Sequence, residues 1–367
     1  MKRELFLDQL KTAATCAVVL LHTVTGVMDH TDMSAYPGQF RLFLILMDLV
    51  CWSVPVFLMI SGYLFLNPAR KVTQRDVFSR YARRIMLALL LFGVPYACLE
   101  MIATEKTFRF GMLAEGLAMV LRGESWAHLW YLYLILVLYL VTPLLRAVLG
   151  VLPVWVVYLL QGILLVCFSV LPFFGRVFGV GSLSAIPAGG IYFFYYICGY
   201  LFAVRKSGGT KTAEAFIQNQ TENPTTGQTT NRAGKRSSLP MLCALTVGVG
   251  MLLSRVSGSY TLLMAYNYPF TVLLAVLLFA GAYGLRRDCD AGTQKNTGIW
   301  EKLSAISFTV YLTHPVFLNL YYKMLHLSPL QYPIAISLPL FFLGALLPAA
   351  FTAVVLRTIP FLRRNVL

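Results

Sequence analysis

The sequence predicts an all-α polytopic membrane protein with about ten transmembrane helices and with both termini in the cytoplasm. Hydrophobic residues make up 58% of the 367 positions, charged residues only 12%, and the mean hydropathy is +0.71. Soluble domains carry roughly 25% charged residues, so a bilayer is the expected solvent. Long apolar stretches recur along the chain, and the Lys and Arg residues alternate between the segments that join them.

Ten stretches have the length of a spanning helix, which needs roughly 20 mostly apolar residues. In chain order they are 12–28, 42–66, 84–104, 126–147, 152–172, 187–204, 240–257, 262–285, 304–325 and 333–356. The polar segment 205–239 has almost no apolar content, which favours a flexible cytoplasmic loop. The whole chain, 1–367, is predicted to be one integral-membrane domain that contains this loop.

The basic residues predict the orientation. With the N-terminus in the cytoplasm, 23 of the 30 Lys and Arg residues fall in cytoplasmic segments and 7 fall outside. This is the positive-inside bias of multi-pass proteins of the cell membrane. It also accounts for the net charge of +15, so no nucleic-acid partner is predicted. The seven cysteines are scattered singly without metal-ligand spacing, so no metal is predicted either.

Few ionisable residues lie deep in the predicted spans, and they are His22, Asp48, Glu100 and His314. Such residues are costly in lipid and indicate function by default. His22 lies about 16 Å along a helix from Lys11, which sits at the cytoplasmic boundary. Asp48 and His314 reach a similar depth, and a carboxylate beside a histidine makes it a better general base.

The alternative is that each of these residues is a polar link between helices. For Glu100 we favour that structural interpretation, for Asp48 both interpretations stay open, and for His22 we favour function. His30, His128 and His326 fall in outer loops or at helix ends, where surface histidines are common. No role is predicted for those three.

The short loop at 67–84 is rich in arginine. Arg80 and Arg83 are spaced i, i+3 and share one face if the third helix begins early. Together with Lys11 they would form a basic mouth for a polyanionic phosphate ligand. Positive-inside topology alone would also place arginine here.

Five segments, in order along nearly the whole chain, carry a family resemblance. They are "LDQLKTAATCAVVLLH" (7–22), "VPVFLMISGYLF" (54–65), "RYAR" (80–83), "HLWYLYLILVLYLVTPLL" (128–145) and "ISFTVYLTHPVF" (306–317). Together they resemble the membrane-bound acyltransferase 3 family. That family usually has Arg where this chain has Lys11, and an ammonium is a point charge that cannot bind phosphate in the bidentate manner of arginine.

The resemblance implies transfer of an acyl group, commonly acetyl, from cytoplasmic acyl-CoA. The acceptor would be a hydroxyl on a cell-envelope glycan, a lipid-linked sugar or a small molecule. Lys11, Arg80 and Arg83 would then hold the phosphates of CoA, whose pantetheine arm is about long enough to reach His22.

The resemblance also implies roles for residues around that path. His22 would remove the proton of the acceptor hydroxyl, oriented by Asp48, and an acyl-histidine intermediate stays open. The side chains that would line the path and hold the pantetheine or the carbonyl are Ser61, Tyr63, Trp130 and Tyr133. His314 is a possible second site, and the longest outer segment, 105–125, could touch the acceptor.

A transporter or flippase is the competing hypothesis. Ten spans with ionisable residues near the midplane suit translocation, and related membrane modules precede the racemase domains of vancomycin-resistance proteins. The sequence shows no inverted repeat, which argues against this hypothesis. Acyl-CoA hydrolysis or exchange by the purified protein separates the two, because a transporter shows neither. A non-catalytic scaffold would leave His22 and the arginine-rich loop without a purpose.

Overall fold

The architecture is helical throughout the part of the chain that the structure describes. A computed structural model covers residues 3–206, 232–256, 265–289 and 297–367, and every regular element in these ranges is a helix. This agrees with the predicted all-α class.

Seven helices are long and apolar enough to cross a membrane. They are Leu5–His30, Pro37–Phe65, Gln74–Glu105, Ala127–Val151, Val154–Phe178, Gly298–Met324 and Ile334–Leu356. Three shorter apolar helices, Gly190–Arg205, Leu239–Leu253 and Pro269–Gly284, fall on the other predicted stretches. The chain is therefore a multi-pass membrane protein, while the count of ten and the cytoplasmic position of the termini stay predictions.

We number the longer helices in chain order. They are α1 (Leu5–His30), α2 (Pro37–Val50), α3 (Ser53–Phe65), α4 (Gln74–Glu105), α5 (Gly111–Arg122), α6 (Trp130–Val151), α7 (Val154–Phe178), α8 (Gly190–Lys206), α9 (Arg232–Val256), α10 (Pro269–Cys289), α11 (Thr297–Asn319) and α12 (Ile334–Leu356). A π-helical segment, Leu320–Met324, continues α11, and a short helix, Pro360–Asn365, follows α12.

Helix α1 lies at the centre of the bundle. It packs against α11, α3, α2 and α12, and Val19, Val24 and Val27 on it are fully buried. A polar side chain on this helix therefore faces protein on most sides, which is how membrane proteins carry ionisable groups at depth.

Helices α3 and α8 approach each other closely because each has a glycine at the contact. A Cβ atom at Gly62 would overlap the carbonyl of Tyr196, and one at Gly199 would overlap the carbonyl of Met59. Small residues at such contacts let membrane helices pack backbone to backbone. This contact fixes α3, which carries Ser61.

Helix α4 is irregular. It starts with a capping box between Thr73 and Asp76 and then contains π-helical segments at Val77–Ala82 and Leu89–Gly93. Hydrogen bonds in a π-helix run from i to i+5, so the turn is wider than in an α-helix. The face that α4 presents to the bundle therefore shifts within its first turns.

The structure describes the two predicted loops to different extents. Most of 205–239 lies outside the described residues, and its described ends, 205–206 and 232–239, are helical. The outer segment 105–125 contains helix α5, whose Met112 is fully buried while Leu121 is 75% exposed. Helix α5 has one packed face and one apolar face toward solvent or lipid. Composition alone does not show this arrangement, so the sequence did not predict a helix here.

Candidate active site

A cavity of about 590 Å³ lies among α1, α3, α4, α6 and α11. It extends inward from the face of the bundle where α1 begins and α3 ends, which we call the N-terminal face. Its polar lining residues are Arg3, Glu4, Asp8, Lys11, Ser61, Arg70, Tyr81, Arg84, Tyr131, Tyr139, Ser304, Ser307, Tyr311 and Arg357. The positive-inside prediction places this face in the cytoplasm.

The mouth of the cavity is cationic. Lysine and arginine outnumber carboxylates there by five to two. Arg3 donates to Asp8 at 2.7 Å and to Glu301 at 3.0 Å, and its hydrogen bond to Asp8 raises the pKa of the Arg3 guanidinium. These contacts neutralise Arg3, so the positive potential comes from the other cations.

Three arginines at the mouth are held by backbone carbonyls. Arg70 donates to the carbonyl of Leu64 at 3.0 Å, and Arg357 donates to that of Ala305 at 2.7 Å. Arg84 donates to the carbonyl of Val366 at 2.7 Å and to the terminal backbone oxygen of Leu367 at 2.6 Å. A peptide carbonyl orients a guanidinium without cancelling its charge, so Arg70 and Arg357 keep their attraction for an anion.

The predicted basic mouth is only partly assembled from the predicted residues. Lys11 lines the cavity, but Arg80 and Arg83 are exposed and lie outside it. Arg80 stacks over the ring of Tyr81 at 5.6 Å, and Arg83 donates to Asn365 at 3.1 Å. Arg84 takes the cavity position because the π-helical start of α4 changes which residues share a face.

The inner part of the cavity carries hydroxyl groups. The Ser61 hydroxyl lies beside the phenol groups of Tyr131 and Tyr139. Ser61 therefore lines the cavity next to two tyrosines that sequence reasoning did not single out, and its contact with a substrate stays a prediction. Tyr63 is fully buried and donates to the carboxylate of Glu4 at 2.9 Å, so it supports the mouth from behind.

Trp130 and Tyr133 do not line the cavity. The Trp130 ring packs against those of Tyr192 and Tyr266, with centroids 5.7 and 5.8 Å apart. Tyr133 donates to the carbonyl of Val120 at 2.5 Å. Both side chains tie helix α6 to neighbouring elements.

His22 and His314 meet directly in the interior. The Nδ1 atom of His22 lies 2.9 Å from Nε2 of His314, and Nδ1 of His314 lies 3.0 Å from the carbonyl oxygen of Val310. A carbonyl can only accept, so Nδ1 of His314 carries a proton and Nε2 of the neutral ring is an acceptor. His22 then donates from Nδ1, which leaves a lone pair on its Nε2.

This tautomer is the one that a general base requires, because the lone pair of Nε2 can take a proton from a substrate. His314 is fully buried, whereas His22 keeps partial exposure. The pair lies one helical turn beyond the inner cavity wall, since Val18 precedes His22 by four residues and Tyr311 precedes His314 by three.

The two predicted carboxylates, Asp48 and Glu100, do not line the cavity. Asp48 is buried on α2 at 6% exposure, but the nitrogen of His22 that an orienting group would hold faces His314. A role for Asp48 stays a prediction. Glu100 accepts from Lys323 at 2.6 Å and thereby joins α4 to the π-helical segment that continues α11, which fits the structural interpretation.

His128 was missed by sequence reasoning. It is only 5% exposed, and its ring centroid lies 6.3 Å from that of His22 and 6.0 Å from that of His314. The hydroxyl of Tyr311 donates to its carbonyl. The available signal was its place at the start of the quoted segment 128–145. Within the described ranges, no three or more His, Cys, Asp or Glu side chains are placed to hold a metal ion.

One of three comparisons with known proteins gives a match. No curated protein and no solved structure gives a significant match. A family model described as an acyltransferase domain matches residues 4–358, which is nearly the whole chain and includes every residue of the histidine pair and most of the cavity. The chain therefore belongs to the acyltransferase 3 family.

Proposed function

We propose that this protein is an integral-membrane O-acyltransferase. It takes an acyl group, with acetyl as the first candidate, from cytoplasmic acyl-CoA and passes it to a hydroxyl of an envelope glycan, a lipid-linked sugar or a related acceptor. The observation that carries the proposal is the His22–His314 pair, set one turn beyond a cationic cavity with its reactive nitrogen free of the pair.

The cavity suits the donor. CoA carries several phosphates, and Lys11, Arg70, Arg84 and Arg357 supply charged partners at the mouth. A volume of about 590 Å³ falls within the usual range for small-ligand pockets. The narrow pantetheine arm would run past Ser61 toward His22, about 16 Å along α1 from Lys11.

The chemistry follows from the tautomer. Nε2 of His22 removes the proton of the acceptor hydroxyl, and the oxygen attacks the thioester carbonyl carbon. The new C–O bond forms, the C–S bond breaks, and the leaving thiolate recovers the proton from His22. His314 keeps the Nδ1 proton in place throughout. General-base catalysis of this kind contributes about 10²- to 10⁴-fold, and positioning of the two substrates adds more.

A turnover assay tests the proposal. The purified protein in lipid nanodiscs is given labelled acetyl-CoA together with a saccharide and lipid extract of cell envelopes as acceptor, and release of free CoA is followed. His22→Ala should lower kcat by about 10²- to 10⁴-fold while acetyl-CoA binding is retained. His30→Ala is the matched control, because His30 lies on the same helix and is exposed. Full activity of His22→Ala would exclude the proposed base, and absence of thioester cleavage in the wild type would reject the acyltransferase itself.

The acceptor can be sought in cells. Envelope saccharides from cells with and without the gene are compared by mass, and loss of an increment of about 42 Da per sugar would identify an acetyl acceptor. The transporter hypothesis is not favoured by the family match, and it predicts solute movement without cleavage of the thioester.

A further inference from the structure

The segment just before α6 carries two buried polar atoms that lack a hydrogen-bond partner. Among the described residues, neither Nε1 of Trp126 nor Nε2 of His128 has one. Native proteins satisfy the large majority of buried polar groups with protein or water. Two orphans two residues apart therefore indicate a ligand that the folded chain is built to receive.

Both side chains are held rigidly. The indole of Trp126 stacks on the ring of Tyr96 with centroids 4.3 Å apart and an interplanar angle of 13°. The hydroxyl of Tyr96 donates to the carbonyl of Leu312 at 2.8 Å, which anchors the stack to α11. The stacking fixes the direction of the indole N–H, so free rotation of the Trp126 side chain does not explain why this N–H lacks a partner.

The two orphans lie beside the histidine pair. The rings of Trp126 and His128 are 6.1 Å apart, and that of His128 is 6.3 Å from that of His22. Neither residue lines the cationic cavity. They therefore reach the proposed base from a different direction than the donor does.

That direction is the face opposite the cavity mouth. Arg146, near the far end of α6, donates to the carbonyls of Phe65, Asn67 and Arg70 at the N-terminal face. The start of α6, with His128 before it, must then point toward the opposite face. His22 is eight residues, or about 12 Å, from the end of α1 on that side.

We propose that Trp126 and His128 form the subsite that binds the acceptor. The indole N–H donates to the oxygen of the reacting hydroxyl, whose proton points to Nε2 of His22. Nε2 of His128 pairs with a second oxygen of the same acceptor. A substrate with two neighbouring oxygens satisfies both orphans, which favours a polyhydroxylated acceptor of the saccharide type over a simple alcohol. This inference rests on the proposed acyl transfer.

The test separates transfer to the acceptor from cleavage of the donor. The full-length protein in nanodiscs is given labelled acetyl-CoA together with a saccharide and lipid extract of envelopes from cells that lack the gene. Label in the extract measures transfer, and free CoA without the extract measures slow hydrolysis by water. The variants are His128→Gln and Trp126→Phe. The second keeps a six-membered aromatic ring that can stack on Tyr96 and removes the five-membered part of the indole together with its N–H.

Each variant should raise the KM for the extract by about tenfold, which is the usual effect of losing one hydrogen bond to a ligand. The rate of acetyl-CoA hydrolysis by water should stay within about twofold of the wild-type rate. Trp155→Phe and His30→Gln are the controls, since Trp155 is 67% exposed and His30 is also exposed. Unchanged transfer in both variants would overturn the inference. A parallel loss of transfer, hydrolysis and melting temperature would also overturn it, because the pair would then be structural. If the wild type cleaves no thioester, the proposed function fails first and the subsite with it.

Discussion

Removal of His314 tests the role of the hydrogen bond between His22 and His314. His22 gives the proton on its Nδ1 to Nε2 of His314 at 2.9 Å. His314→Ala leaves this N–H without its acceptor in the protein interior, at a cost of about 1–3 kcal/mol. The ring can avoid the cost by moving its proton to Nε2, and in that tautomer Nε2 can no longer take a proton from the substrate. Since 1.4 kcal/mol is a factor of ten, kcat should fall by about 5- to 150-fold.

A double-mutant cycle checks this account with the free-CoA assay. Because His314 acts through His22, His22→Ala/His314→Ala should be no slower than His22→Ala alone. The KM for acetyl-CoA should not change, since the cations at the cavity mouth are untouched. His314→Gln supplies an amide oxygen that can accept the bond, so it should recover part of the loss.

The control is His326→Asn, because His326 is exposed and has a φ of 50°, which asparagine tolerates. Independent, multiplicative effects of the two histidines would refute the relay. So would a His314→Ala enzyme with wild-type kcat.

Three further predictions concern binding and stability. Arg84→Gln should raise the KM for acetyl-CoA by about tenfold, whereas Arg83→Gln, one residue away but outside the cavity, should change it by less than about twofold. A larger effect of Arg83→Gln would support the binding role that the sequence predicts for Arg83. Gly62→Ala should lower the free energy of unfolding by about 1–3 kcal/mol or more because its Cβ meets backbone, whereas Gly150→Ala, with open space around it, should not. Equal melting temperatures of the two variants in detergent would contradict the close contact between α3 and α8. Arg146→Gln leaves carbonyls at the end of α3 without their donor and should cost about 1–3 kcal/mol, so a variant that unfolds like the wild type would refute that anchoring.

The sequence predicts the relative placement of site residues best where both residues lie on the same helix. Lys11 and His22 lie on α1 at the spacing that the sequence predicts, and their helix is central because its polar groups need protein around them. The pairing of His22 with His314 spans 292 residues, so no local pattern could reveal it. Depth estimates placed both histidines near the midplane, but their contact and its tautomer depend on how α1 and α11 pack.

Two site residues escaped prediction for local reasons. The i, i+3 argument for Arg80 and Arg83 assumes α-helical turns, and the π-helical segment Val77–Ala82 moves Arg84 to the cavity instead. The sequence places His128 at the end of a predicted span, where surface histidines are common. In the structure that helix begins inside the protein, at the level of His22.

A structure of the protein with a non-hydrolysable acetyl-CoA analogue tests the central claim most directly. The acceptor hydroxyl must contact both the acyl carbon and Nε2 of His22 during transfer. The acyl carbon should therefore lie within about 6 Å of Nε2 of His22. The phosphates should lie against Arg70, Arg84 and Arg357. An analogue bound with its phosphates at Arg80 and Arg83, or with its acyl group away from His22, would contradict the account.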